Sequence, residues 1–160
     1  MKCFLTPLAS AVSLSCKNIV PKYFLSSNLA ELLGLIKLDL IKLLKAEDCA
    51  VLVRNKYESP NTCTGLNPNL TKEDCKRASM GDLLTFKLES GVSEQVLKTG
   101  ELYYSNDPRS DQYFSPSLDN YTPIFSVHNC TILRLDDTQG NFIGILEVIN
   151  QENMMSIVDY

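Results

Sequence analysis

The sequence predicts an α+β domain with a central, largely antiparallel sheet of about six strands flanked by helices. Three observations carry that reading. A long leucine-rich helical pattern begins at Asn28, and short β-branched runs follow it, separated by helices of unequal length. The last two runs are joined by a turn chemistry suited to a hairpin.

Residues 1–26 show no clean hydrophobic period and read as a leader or upstream linker, so the domain proper is expected over 27–160. One Lys precedes a mixed apolar stretch at the start, but Pro7 and scattered Ser and Thr dilute the apolar centre that a signal peptide needs. In "NLAELLGLIKLDLIKLLKAED", Asn28 is a helix cap and Glu31 stands three residues on. Leu29, Leu32, Leu33, Ile36, Leu40, Leu43 and Leu44 recur at helical spacing. Lys37, Lys42 and Lys45 are expected on the wet side, while Leu35, Leu38 and Ile41 widen the apolar face. Such a helix is either a plain core helix or one shared with a partner. In the second case Leu35, Leu38 and Ile41 would touch a second copy in a homodimer, or a neighbouring domain.

"CAVLVRN" is β-branched and too short for a helix, hence a strand. The polar stretch from Lys56 to Asp82 reads as a long loop with one helical turn around Thr71–Arg77. "LLTFKLE" alternates as a strand does, and "SGVSEQVLKTGE" is a short helix ended by Gly100. "LYYS" is a strand, and "SPSLDNYTP" a short helix or turn broken by Pro123. "CTILRL" and "FIGILEVIN" close the pattern as a hairpin through Gly140-Asn141.

At 160 residues, with 44% apolar and 21% charged residues, the chain can bury a real core. A net charge of −4 disfavours nucleic acid as a partner, because phosphate binding needs a basic face. No apolar run reaches the roughly 18–20 residues that span a bilayer, so no membrane partner is expected. The six cysteines form no C-x-x-C pair. Cys63 and Cys75, in the polar loop, would pair only in an oxidising compartment, and Cys49 and Cys130 sit in apolar runs as small hydrophobes. Asn69, Asn120 and Asn129 start N-x-[ST] triplets that matter only after secretion. A reduced, cytoplasmic protein is the expectation.

The richest segment chemically is "NDPRSDQYF", residues 106–114. Asp107 and Asp111 have no nucleophile or apolar pocket beside them in sequence, and their spacing is not that of a calcium loop. His128 stands alone, and Cys130 two residues on would share its strand face rather than point at it. Neither a phosphate-binding loop nor a metal-ligand set is present, so no catalytic residue and no metal site is expected. Read locally, Asp107 is a turn residue before Pro108, and Arg109 pairs with Asp111 at the surface.

From Leu83 to Asn150 the order of parts resembles a GAF domain. A glycine-led helix ends in "TGE", a strand follows, then a D-x-x-x-D-x-x-F segment, "LDNYTPIFS", and a hairpin ending in "IGILEVIN". The motifs are most like the regulatory GAF domains of cyclic-nucleotide phosphodiesterases. That resemblance implies a non-catalytic regulatory or sensory module that binds a small ligand, cyclic GMP or cyclic AMP, and signals to a neighbouring domain such as a phosphodiesterase. The alternative within the family is a non-binding dimerisation or protein-interaction module. By resemblance, Asp107, Asp111 and Phe114 are the carboxylates and aromatic before the ligand-covering helix, and Asp119, Thr122 and Ser126 its acidic and hydroxyl positions. The chain departs from the pattern at Gln151, Met155 and Tyr160, where those domains carry Lys, Phe and Glu. It also stops where their closing helix is expected to begin. These departures imply weakened ligand binding.

Overall fold

A side chain fixes the start of the first helix in the computed structural model, which describes residues 26–124 and 126–152. Asn28 is extended and its Oδ1 accepts the Glu31 N–H at 3.0 Å. The Glu31 carboxylate turns back to the Ser27 N–H at 2.7 Å. Helix α1 (Leu29–Leu44) then runs until Lys45 enters the left-handed region at φ 49°. The leader expected over residues 1–26, and the departures at Met155 and Tyr160, lie outside the described residues, Ser26 excepted.

Strands β1 (Ala46–Arg54), β2 (Thr62–Leu66), β3 (Leu83–Lys87), β4 (Tyr103–Ser105), β5 (Cys130–Asp136) and β6 (Phe142–Gln151) form one sheet in the order β3-β2-β1-β6-β5-β4. Every pairing is antiparallel. Helix α2 (Lys72–Cys75) lies between β2 and β3, α3 (Gly91–Thr99) between β3 and β4, and α4 (Pro116–Asp119) between β4 and β5. The expected α+β sheet with flanking helices is therefore the observed one. β2 is an addition to the sequence reading. Its "TCTGL" is short, contains glycine and sits in a polar stretch, and its pairing with β1 and β3 makes it a strand.

Alternation along the strands gives the sheet two apolar faces. On one, Ala50, Leu52, Cys63, Cys130, Ile132, Ile145 and Ile149 pack under Val92, Val96 and Leu97 of α3 and under Phe114, Tyr121 and Val127. On the other, Cys49, Leu146 and Val148 meet Ile41 and Leu44 of α1. Farther along α1, Ala30 and Leu33 pack with Leu66, Cys75 and Ala78. Cys63 and Cys75 thus belong to separate clusters and are free thiols. Burial pushes the Cys63 thiol up to about 11 and Cys49 to about 12, which leaves them neutral hydrophobes.

The buried stripe of α1 is Ala30, Leu33, Gly34, Lys37, Ile41 and Leu44, rotated from the stripe its leucines suggest. Small residues decide the rotation. A Cβ at Gly34 would stand 1.9 Å from the Cys75 carbonyl oxygen, so only glycine lets α1 meet α2. Lys37 is consequently not on the wet side: it is buried, with Nζ 2.9 Å from Asp48 Oδ1, while Lys42 and Lys45 are exposed. Of the residues expected at a partner contact, Ile41 is covered by the chain's own sheet and Leu38 packs beside Leu33, whereas Leu35 is half-buried.

A buried pair of this kind is costly to break and cheap to replace. Asp48→Ala should cost about 3–5 kcal/mol, because the Lys37 ammonium stays buried without a counter-charge. The double change Lys37→Met with Asp48→Leu should stay within about 1 kcal/mol of the native chain or exceed it. Urea denaturation compares them, and equal losses in the two variants would show that charge desolvation is not the controlling cost.

Candidate functional site

The segment after β4 is built as a rim. Asp107 receives the Ser110 hydroxyl, and its own N–H donates to Ser105 Oγ at 3.1 Å, which shapes the single turn Pro108–Ser110. Pro108 is buried, and Asp111 Oδ1 accepts the Tyr113 N–H at 2.8 Å. Phe114 then drops into the core and stacks on Tyr103, with ring centroids 6.3 Å apart and planes 8° from parallel.

α4 and the residues after it cover this end of the sheet. Asp119, fully buried, accepts four hydrogen bonds. Oδ1 takes the Ser93 N–H and hydroxyl, both at 2.9 Å, and Oδ2 takes the Ser115 N–H at 2.9 Å and the Val92 N–H at 3.2 Å. Its charge sits at the N-terminus of α3, where free N–H groups and the helix dipole favour an anion. Gly91, at φ 75°, is required here, since a Cβ would lie 2.4 Å from Asp119 Oδ2. Thr122 is buried too, and its N–H and hydroxyl both donate to Asn120 Oδ1, at 3.1 and 3.0 Å. Ser126 is exposed, its hydroxyl 3.3 Å from His128 Nε2.

Between the cover and the loop after β2 lies a groove of about 350 Å³, near the lower end of the roughly 300–1,000 Å³ common for small-ligand sites. Phe114, Thr122 and Val127 line it from the cover, Pro68 and Asn69 from the loop, and Arg109 from the rim. Of the residues singled out in the sequence, Phe114 and Thr122 are thus brought to the groove. Asp107 and Asp111 shape the turn beside it, Asp119 fastens the cover to α3, and Ser126 sits on the exposed tail of the cover.

The sequence reading passed over Glu147. It lies on β6 opposite Ala50, between Ile145 and Ile149 on the face under the cover, and is fully buried. Oε2 accepts the N–H of Tyr121, next to groove-lining Thr122, at 2.9 Å, and Oε1 has no partner. Burial pushes the carboxyl well above the ordinary carboxylate range, against the pull of the Tyr121 N–H and helped by the charges of Asp48 and Asp119. The Tyr121 and Tyr103 hydroxyls on the same face are likewise buried without a partner, and burial raises both. The signal available in the sequence was one acid in the apolar run "FIGILEVIN", at an inward position of the alternation.

Solved structures resemble this architecture. The chain is similar to the GAF domain of a phosphoenolpyruvate-protein phosphotransferase from Coxiella burnetii, with a TM-score of 0.62 and 17% identity, over 89% of this chain and 79% of that one. The fold is that of a GAF domain. The GAF domain of an Acinetobacter phosphoenolpyruvate-protein phosphotransferase superposes with a TM-score of 0.57 at 13% identity, over 84% and 73% of the two chains. The A. aeolicus nlh2 GAF domain in an inactive state gives 0.50 at 15%, over 88% and 82%. At these identities the likeness concerns the fold. No protein-family model and no curated protein matches the chain. Among the described residues of this GAF fold, no cluster of His, Cys, Asp and Glu could hold a metal, and no helix is long and apolar enough to cross a membrane.

Glu147 makes a pH prediction with a definite sign. Unfolded, its carboxyl ionises near 4.5, whereas in the fold it keeps its proton to higher pH. Between those values the folded state binds more protons, so its contribution is complete below pH 4.5 and is lost as pH rises through the folded value. Glu147→Gln, neutral at every pH, should flatten the decline of stability above pH 4.5 and melt higher than the native chain at pH 8. Melting curves across pH test this, and an unchanged slope would show that Glu147 ionises freely in the fold.

Proposed function

We propose that this chain is a non-catalytic regulatory or sensory module of GAF type, which takes a small ligand beneath its cover and passes the change to a neighbouring domain. The observation that carries the reading is Glu147, a buried acid with one open oxygen, bonded to the cover through Tyr121 beside the groove. A buried oxygen without a protein partner is met by water, an ion or a ligand. With Oε2 already accepting the Tyr121 N–H, a protonated Glu147 keeps one hydroxyl donor, on Oε1, to offer. The order of motifs from Leu83 to Asn150 favours a cyclic nucleotide, cyclic GMP or cyclic AMP, as the ligand, and a phosphodiesterase as the neighbouring effector in the cytoplasm. Thr122 and Phe114 would contact the ligand at the groove, and Glu147, buried behind its wall, would be coupled to it through the Tyr121 N–H. Asp107, Asp111 and Ser126 would act at the rim and tail of the cover.

Binding to this chain should be weak. Asp119 has given its acceptor positions to protein donors, and Gln151 replaces the lysine of the resembled pattern. Thermal-shift and calorimetric titration against cyclic GMP, cyclic AMP, free nucleobases and tetrapyrroles tests the proposal. We expect saturable binding of a cyclic nucleotide with a Kd above about 1 μM, weaker than roughly −8 kcal/mol. Losing one buried hydrogen bond costs about 1–3 kcal/mol, so Thr122→Ala should weaken it about five- to 150-fold. If none of the panel shifts the melting temperature at millimolar concentration, the ligand reading fails.

The interaction-module reading has its own support in α1, where Leu32, Leu35, Ile36 and Leu43 remain half-buried. A homodimer or a neighbouring domain would cover them. Leu35→Glu should then shift sedimentation toward the monomer and lower the melting temperature little, since this side chain belongs to none of the core clusters. Unchanged sedimentation of a native chain that is already monomeric would remove the homodimer.

A further inference from the structure

Asn150, near the end of β6, has an uncommon backbone and an unusually busy side chain. Its φ is 51°, in the left-handed region that Asn tolerates better than most residues. Oδ1 accepts the His128 N–H at 2.6 Å and the Asn129 N–H at 3.3 Å. Nδ2 donates to the Ser126 carbonyl at 2.8 Å and to Glu47 Oε2 on β1 at 2.6 Å. The orientation of the amide is dictated by its partners, because backbone N–H groups can only donate and a carbonyl can only accept. The stitching continues to the next residue. Asn150 N–H donates to the Asn129 carbonyl at 3.0 Å, and Gln151 N–H to Asn129 Oδ1 at 2.9 Å. Asn129 Nδ2 donates to the Gln151 carbonyl at 3.3 Å, and Glu152 N–H to the carbonyl of Lys45, the C-cap of α1, at 2.9 Å.

We infer that Asn150 is a latch: its amide holds the tail of the cover, residues 126–129, to the end of β6, so that the cover moves together with Gln151 and Glu152 and with the end of α1. Two observations meet in it. The tail follows directly on the groove wall, since Val127 lines the groove while its neighbours Ser126 and His128 are gripped by Asn150. The same amide reaches β1 through Glu47, and the next residues reach α1 through Lys45. A displacement of the cover therefore has a hydrogen-bonded route to the end of the sheet and does not need to pass through the apolar core. Asn150 is thus a positioning residue. The inference rests on the reading of residues 115–124 and 126–129 as the cover of a ligand groove, yet it concerns the unliganded chain and can fail on its own.

Amide hydrogen exchange on the full chain, followed residue by residue without ligand, tests it. Asn150→Gly keeps the left-handed backbone and removes the amide. It should speed exchange of His128 and Asn129 at least about tenfold, and that of Glu152 in parallel, while Leu133 and Leu146 in the sheet are unchanged. Asn150→Asp keeps the acceptor but sets a carboxylate against the Ser126 carbonyl and Glu47, and should loosen the same amides. Adding Glu47→Gln, whose amide can donate to the new carboxylate, should restore part of the protection, which a role confined to backbone conformation would not produce. The latch is overturned if the glycine variant leaves residues 128 and 129 as slow as before. It is equally overturned if Leu133 and Leu146 quicken by the same factor, or if Glu47→Gln restores nothing.

Discussion

The antiparallel pairing of β1 with β6 is the constraint on which the rest of the molecule depends. These are the two central strands, and their register runs from Ala46 opposite Gln151 to Val53 opposite Gly144. Because side chains alternate, that register puts Cys49 and Val148 on one face and Ala50 and Glu147 on the other. A slip of one residue would send Glu147 toward α1 and Leu146 toward the groove. Glycine enforces the pairing: a Cβ at Gly144 would sit 2.2 Å from the Leu52 carbonyl oxygen, so a larger residue would push the strands apart. At the end of this pair, Asn150 and Glu47 join the sheet to the cover.

The face under the cover holds two buried acids treated in opposite ways. Asp119 receives four hydrogen bonds and the positive end of α3, so a charged carboxylate is satisfied there. Glu147 receives one hydrogen bond, and burial outweighs the pull of that bond and of the Lys37 charge to favour its neutral form. The first arrangement belongs to structure, since it fastens α4 to α3. The second leaves polar capacity unused inside an apolar layer, with two tyrosine hydroxyls equally unpartnered on the same face. Unspent capacity of that kind is where a ligand can gain more than water offers it.

Much of the fold was legible because it follows from local chemistry. The Asn28 cap, the Gly100 helix end, the Gly140-Asn141 hairpin and the alternation in "CTILRL" and "FIGILEVIN" each act over a few residues. β2 was not legible, since "TCTGL" becomes a strand only between two partners. Lys37 misled for a related reason. Periodicity follows the large apolar residues, while the approach of α1 was decided by Ala30 and Gly34, which carry little hydrophobic signal. Phe114 and Thr122, singled out by resemblance in the order of motifs, line the groove. Glu147 was missed because a lone acid in a strand looks like a solvent-facing residue until both faces are known to be covered.

By itself the sequence determined the α+β class, most element positions and the hairpin, because turn chemistry and hydrophobic alternation are properties of neighbouring residues. The tertiary structure alone decided which face each strand presents and which stripe of α1 is buried. It also set Asp119 as a cap rather than an open carboxylate, and left Glu147 with one oxygen to spare. Those outcomes depend on partners 26 to 27 residues away along the chain, such as Val92 and Ser93 for Asp119 and Tyr121 for Glu147, and no local pattern records such distances.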